Sequence, residues 1–330
     1  MNYNRLGKSG ILVSELCMGG SVPRVSEFSS GILDRDFLEI YRAAFGSGIT
    51  FFDNAESYGG GRSETLLGKA LGKERSRIQI ASKVSYEHTA PENIRSSCEN
   101  SLRRIGTDYL DIYFIHYPND SVPLSEVIGT MTELKQEGKI RALGVCNFSR
   151  NQLEESVKHG QIDAVQQCYS LLWRKYMEAE IQPFCRENGI GIIPYSPLAV
   201  GLLSGKFTPD WSFDSEDQRG RPANNGILLF QKEWFASCVE TVNAMKPIAL
   251  RYGKTMVQLA LNWAKSREGV CSVITGAKSA GQLSENIGAA GWSIDSEDMR
   301  MLDDLSREVT DSLPVYLHFF MKMVPTNSTV

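Results

Sequence analysis

Short apolar runs alternate with amphipathic stretches along almost the whole chain. The runs VSELCMG, ITFFDNA, IQIASK, LDIYFIH, IRALGVC, DAVQQCY, GIIPYS and CSVITG read as strands. They are rich in β-branched residues and continuous rather than alternating, the pattern expected where both faces of a sheet are buried. Between them the spacing predicts helices over SETLLGKALG, PENIRSSCENSLRRIG, LSEVIGTMTELKQEG, NQLEESVKHG, MEAEIQPFCRENG and TMVQLALNWAKS. Gly106, Gly138, Gly160 and Gly189 follow helical stretches and are expected to cap their C-termini. Eight strands alternating with helices is the count for an α/β fold of the closed (β/α)8 barrel type. A doubly wound open sheet uses the same unit. No G-x-G-x-x-G follows the first strand and no composition break marks a second domain, so residues 1–330 are expected to form a single barrel domain. The opening YNRLGKSGILVSE reads as an N-terminal β-hairpin with a glycine turn, placed to plug the bottom of the barrel. From Thr208 to about Phe230 the chain turns polar, and a loop of that length is usually functional or mobile.

The 330 residues, 42% of them hydrophobic, can build a sizeable core. A net charge of -4 leaves no basic footprint for nucleic acid. No long apolar run opens the chain, so neither a signal peptide nor a membrane span is expected, and a soluble cytoplasmic protein is. Cys17, Cys98, Cys146, Cys168, Cys185, Cys238 and Cys271 are odd in number and lack C-x-x-C spacing, which predicts free thiols. Four histidines without metal-binding spacing predict no metal site.

The chemistry concentrates where predicted strands end. Asp53 and Tyr58 lie in ITFFDNAESYG, Lys83 closes IQIASK and His116 closes LDIYFIH. Catalytic groups of such barrels come from the C-terminal ends of different strands. The four supply an acid, a cation to tune it, a carboxylate to hold the cation and a hydrogen-bond donor. That set suits proton delivery to a carbonyl oxygen while a hydride arrives at carbon. Singly, each has a plainer explanation: a structural Asp–Lys pair, a satisfied histidine, an aromatic covering the YGGGR turn. Four such positions on one rim favour the functional reading.

From YNRLGKSG to SENIGAAG the chain closely resembles the aldo-keto reductases, in particular the short-tailed bacterial type related to potassium-channel β-subunits. FFDNAESYG, ASK, DIYFIHYP, LGVCNFS, AVQQCYSLL, IIPYSPLAVGLLSGK and VITGAKSAGQLSENIGA carry the likeness in order. The resemblance implies NADPH-dependent reduction of an aldehyde or ketone, with NADH also possible. Tyr58 would be the general acid, its pKa lowered from ~10 by Lys83. Asp53 would pair with Lys83, and His116 would orient the carbonyl, with or without carrying a proton. Asn147 and Gln166 would meet the nicotinamide carboxamide beside Cys146, where relatives commonly have Ser, and Tyr195 would stack on the ring. Ser196, Pro197, Leu198, Gly201, Ser204 and Lys206 would follow the pyrophosphate, with Gly20 and Ser21 completing the cofactor cleft. GLLSGKF is not a Walker A motif: three residues separate its glycines and Phe follows Lys.

Near the C-terminus, Gly276, Lys278, Gln282, Glu285 and Asn286 would surround the adenosine 2′-phosphate and adenine. A helix starting near Ser279 would add its N-terminal dipole. Gln282 replaces an arginine frequent there, which weakens the preference for NADPH. Arg219 and Arg221 would close over the dinucleotide. Tyr117, where many relatives carry Trp, would wall the substrate pocket with Tyr58, His116, Trp173 and the segment Ser21–Ser30. The tail LPVYLHFFMKMVP is unusually apolar, which suits packing on the barrel first, then covering the pocket or joining subunits as a homo-oligomer. Aldehydes, ketones, sugars and pyridoxal-like compounds all stay open as substrates. A redox-sensing subunit resembling the channel β-subunits, and a sugar or alcohol dehydrogenase, are the competing readings.

Overall fold

The computed structural model describes residues 1–21, 34–215, 217–221 and 226–320. Two short strands, β1 (Tyr3–Arg5) and β2 (Leu12–Ser14), pair antiparallel as the expected hairpin. The eight that follow are all parallel: β3 (Leu16–Gly19), β4 (Phe51–Asp53), β5 (Gln79–Val84), β6 (Leu110–Ile115), β7 (Ile140–Cys146), β8 (Ala164–Cys168), β9 (Gly191–Tyr195) and β10 (Val273–Thr275). They run in chain order from β3 to β9, with β10 beside β3. Closure comes from Ile192, whose N–H donates to Gly269 and whose carbonyl accepts from Cys271, at 3.0 and 2.9 Å. Each predicted strand is present: IRALGVC over its full length, IQIASK shifted by one residue to Gln79–Val84, and the others trimmed by one to four residues at their ends.

Strand periodicity sorts the side chains into two cores. One set, including Met18, Phe52, Ile80, Tyr113, Leu143, Val165 and Ile192, packs outward under the helices. The other fills the barrel: Cys17, Phe51, Ala81, Ile112, Phe114, Ala142, Ala164 and Ile193, joined from below by Leu6, Ile11 and Val13 of the hairpin. The hairpin therefore plugs the bottom and leaves the C-terminal rim for chemistry.

The helices are α1 (Asp34–Gly46), α2 (Arg62–Leu71), α3 (Pro91–Ile105), α4 (Leu124–Gln136), α5 (Arg150–Ser156), α6 (Gln182–Asn188), α7 (Phe235–Arg251), α8 (Met256–Lys265), α9 (Ala280–Ile287) and α10 (Ser296–Ser312). Gly106, Gly138 and Gly189 take left-handed φ of 78°, 76° and 66°, as C-caps require. Gly160 does not. Helix α5 ends at Ser156, and Gly160 serves close packing instead: a Cβ there would lie 2.7 Å from Thr132 and 2.8 Å from Ile128. Helices α1, α7 and α10 lie outside the predicted set. Pro247 sits inside α7, and the buried face of α10 is largely polar (Asp298, Ser306, Thr310), which obscures both patterns. All seven cysteines are unpaired. Among the described residues no helix is long and apolar enough to cross a membrane.

Candidate active site

The same alternation that fills the barrel lifts polar groups to its rim. Two residues beyond Phe51 comes Asp53; beyond Ala81, Lys83; beyond Phe114, His116; beyond Ala164, Gln166; beyond Ile193, Tyr195. Tyr58 arrives from the β4–α2 connection, on a 3₁₀ turn whose Gly59, Gly60 and Gly61 all have positive φ (59°, 65° and 88°). Glycine takes positive φ without the strain a Cβ would bring.

Lys83 is the hub, 1% exposed. Its Nζ donates to Asp53 Oδ2 at 2.6 Å, the Asn54 carbonyl at 2.7 Å and Tyr58 Oη at 3.4 Å. Burial works to lower its pKa, but Asp53 and then Tyr58 overcome that and hold the ammonium above its ordinary range. Burial likewise raises the Tyr58 hydroxyl, and the opposing pull of Lys83 does not cancel it. The expected net lowering of Tyr58 is therefore reversed by desolvation, and the phenol stays protonated at neutral pH. Burial first, then Lys83, keep His116 well below the usual histidine value, so its imidazole is neutral. The rings of Tyr58 and His116 meet edge to face at 5.8 Å, and Tyr117 stacks on His116 at 5.1 Å.

The two amides expected at a carboxamide are tied into this cluster. Gln166 Nε2 donates to Asp53 Oδ1 at 2.6 Å, and its Oε1 accepts the Cys146 thiol at 3.5 Å. Asn147, left-handed at φ 61°, donates from Nδ2 to the His116 carbonyl at 3.0 Å and accepts from Tyr195 Oη at 2.6 Å. Each NH₂ has a second hydrogen for another acceptor. Below them Gly20 donates to the Asp53 carbonyl at 2.8 Å while Ser63 donates to the Gly20 carbonyl.

Beyond β9 the backbone is strained. Ser196, Ala199 and Val200 have φ of 52°, 48° and 55°, followed by Gly201 at 89°. A left-handed β-branched residue is rare and costs about 1–2 kcal/mol, a common mark of a functional turn. Pro197 is buried, the Leu198 carbonyl accepts from Gly201 and Leu203, and Ser204 Oγ donates to the Gly201 carbonyl at 2.6 Å. Beside this turn lie Lys206, Arg219 and Lys278. Burial, then Arg219, then Lys278 push the Lys206 ammonium below its ordinary pKa, with Asp217 opposing. A strained turn ringed by mutually repelling cations fits a phosphate-rich dinucleotide.

Helix α9 starts there, capped by Ser279 Oγ, and Gln282 Oε1 accepts the Lys278 N–H at 2.7 Å, so that side chain is committed to the cap. Asn286 is buried and donates to the Gly276 carbonyl at 3.0 Å; Glu285 is half-buried. Arg221 is exposed, its carbonyl accepting from Gln231.

The polar loop proves to be anchored by aromatics. Phe207, Phe213, Phe230 and Phe235 form one ring cluster with centroids 5.3–6.0 Å apart, and the Arg219 guanidinium lies over three of them while pairing with Asp217. Residues 216 and 222–225 of that loop, 22–30 of the expected substrate wall and 321–325 of the tail lie outside the described residues. What is described of the tail packs onto the site. Phe319 is fully buried, edge-on to Trp173 at 5.5 Å, and His318 stands edge-on to Tyr117 at 6.2 Å. Trp173 thus reaches the site through the tail. Sequence reasoning passed over two contributors, the Asn54 carbonyl and His318. A backbone acceptor leaves no side-chain signal, and LHFF has no spacing that marks its histidine.

The aldo/keto reductase family model matches residues 15–307. The chain is 33% identical to the aldo-keto reductase YhdN of Bacillus subtilis, over 96% of each chain. It is 32% identical to an NADH-specific methylglyoxal reductase of Escherichia coli, over 91% of this chain and 97% of that one. The crystal structure of an aldo/keto reductase from Klebsiella pneumoniae in complex with NADP and acetate superposes with a TM-score of 0.73 at 26% identity, covering 93% of this chain and 96% of that one.

Proposed function

The chain belongs to the aldo/keto reductase family and is an NAD(P)H-dependent oxidoreductase; from that premise we propose that it reduces an aldehyde or ketone to the alcohol with Tyr58 as proton donor. The observation that carries this is the buried Lys83 ammonium, bound at once to Asp53, the Asn54 carbonyl and the Tyr58 hydroxyl. When bound, the reduced nicotinamide supplies the hydride. A carbonyl oxygen seated between Tyr58 and His116 accepts a hydrogen bond from each, His116 using the one N–H of a neutral imidazole. As negative charge grows on that oxygen, the proton moves to it from Tyr58 Oη, leaving a phenolate. The Lys83 ammonium offsets that charge, and Asp53 and Asn54 keep it in place. In the reverse direction the same phenolate takes the proton back.

Lys206, Arg219 and Lys278 would hold the phosphates against the left-handed turn. Asn147 and Gln166 would orient the carboxamide, and Tyr195, fixed by its bond to Asn147, would back the ring. NADPH is the favoured cofactor because Lys278 stands exposed at the start of α9. The relatives include one in complex with NADP and one named as NADH-specific, so both cofactors belong in the assay.

The test is NADPH consumption with a reactive aromatic aldehyde, compared between the natural protein and Tyr58→Phe. Turnover falling roughly 10²–10⁴-fold in the variant, with cofactor binding intact, is expected of a lost general acid. Turnover that survives would remove Tyr58 from the mechanism.

A further inference from the structure

The tail lays one polar side chain, His318, against Tyr117 with its Nδ1 unpaired among the described residues. His318 is 6% exposed, and among the described residues its Nδ1 makes no hydrogen bond. Buried polar atoms are nearly always paired, so an orphan nitrogen beside a reaction centre needs an explanation. Its position is not accidental. The Phe319 carbonyl accepts the Leu228 N–H at 3.0 Å, Phe320 bridges antiparallel to Ile227, and Phe319 is buried against Trp173. Those contacts hold the ring edge-on to Tyr117 (6.2 Å, 87°), which lies nearly flat on His116 (5.1 Å, 27°). His318 is therefore two ring contacts from the carbonyl-orienting group.

Among the described residues no charged group is found to shift the titration of the ring. Burial is the leading influence on its titration, holding the pKa down to about 4, while among the described residues the backbone of Phe320 and of His318 itself pulls the other way. A neutral imidazole donates or accepts a hydrogen bond but offers no charge. Its complement is a group that is polar, uncharged and able to do either, namely a hydroxyl.

We infer that His318 is a specificity-determining residue, selecting carbonyl substrates that carry a neutral hydroxyl a few bonds from the reacting carbon over their alkyl or carboxylate analogues. The inference rests on the reductase reading above. A site that pairs with a substrate hydroxyl rejects the analogue lacking it, because its own buried polar atom is then left unpaired.

The experiment compares the meta and para isomers of (hydroxymethyl)benzaldehyde with the matching ethyl- and carboxybenzaldehydes. In the natural protein kcat/KM should favour the hydroxymethyl compound in one isomer series by about tenfold or more. The ratio should fall to about unity in His318→Leu and return in His318→Asn, whose amide reaches the place of Nδ1. Affinities of the corresponding product alcohols, read from tryptophan fluorescence with and without NADP⁺, should show the same preference independently of turnover. No preference in either series, or one that His318→Leu leaves intact, overturns the assignment. Failure of the reductase reading has a different signature: no aldehyde turns over, while the binding preference among the alcohols and its dependence on His318 persist.

Discussion

The rim of strand ends and the segments laid over it are built on opposite principles. On the rim, Lys83, Asp53 and Gln166 form a chain of side-chain hydrogen bonds reaching from β5 and β4 across to β8, and Asn147 ties Tyr195 to the His116 carbonyl. Over the rim, the 196–206 turn, the Phe207–Phe235 cluster, the start of α9 and the tail are held by ring contacts and strained backbone. There cations face cations and, among the described residues, His318 Nδ1 lacks a partner. Polar groups bonded to each other in this way make a rigid constellation.

The sharpest way to break this contrast is Asp53→Ala. It leaves the Lys83 ammonium buried with one carboxylate fewer, and unfolding in denaturant should show a loss of about 3–5 kcal/mol. A loss within the range of a surface substitution would mean the rim is not preorganised by that pair.

The overlying segments should respond in ligand affinity instead. Lys278→Ala should raise KM for NADPH about tenfold, the scale of one charge-assisted phosphate contact, while KM for NADH hardly moves and the unfolding midpoint stays put. Equal effects on the two cofactors would remove Lys278 from the 2′-phosphate.

The smallest effect is on acid stability. His318 has its folded pKa lowered to about 4, below the 6.5 of an unfolded histidine. Its contribution is complete above pH 6.5 and is lost as pH falls towards 4, because the unfolded chain then binds a proton that the folded one refuses. At pH 5.5 this amounts to about 1 kcal/mol. Urea titrations at pH 7.5 and about pH 5.5 should therefore show a smaller drop in stability for His318→Leu than for the natural protein. Identical drops would place the His318 ring in water.

The barrel was legible because continuous apolar runs such as LDIYFI and IRALGVC have few alternatives to a parallel strand buried on both faces. The placement of Asp53, Lys83 and His116 on the rim was legible for the same reason: strand ends are where a period-two pattern stops being apolar. Other features depended on neighbours that no local window contains. Gly160 reads as a cap, yet its smallness answers Thr132 and Ile128 of another helix. The stretch from Thr208 reads as polar loop, yet Phe213 finds Phe207, Phe230 and Phe235 across the fold. Tyr58 reads as an acid tuned downward by Lys83, yet the depth of burial decides the sign.

The sequence by itself determined the kind of fold and the polar side chains brought to its rim, since backbone periodicity and residue type are local properties that survive without coordinates. Only the tertiary structure decided the balance of burial against charge at Tyr58, Lys83 and His116. It also decided the commitment of Gln166 and Asn147 to their neighbours and the return of a C-terminal histidine to a wall begun at Tyr117. Those depend on distances between residues far apart in the chain, and desolvation has no value until the atoms that exclude water are in place.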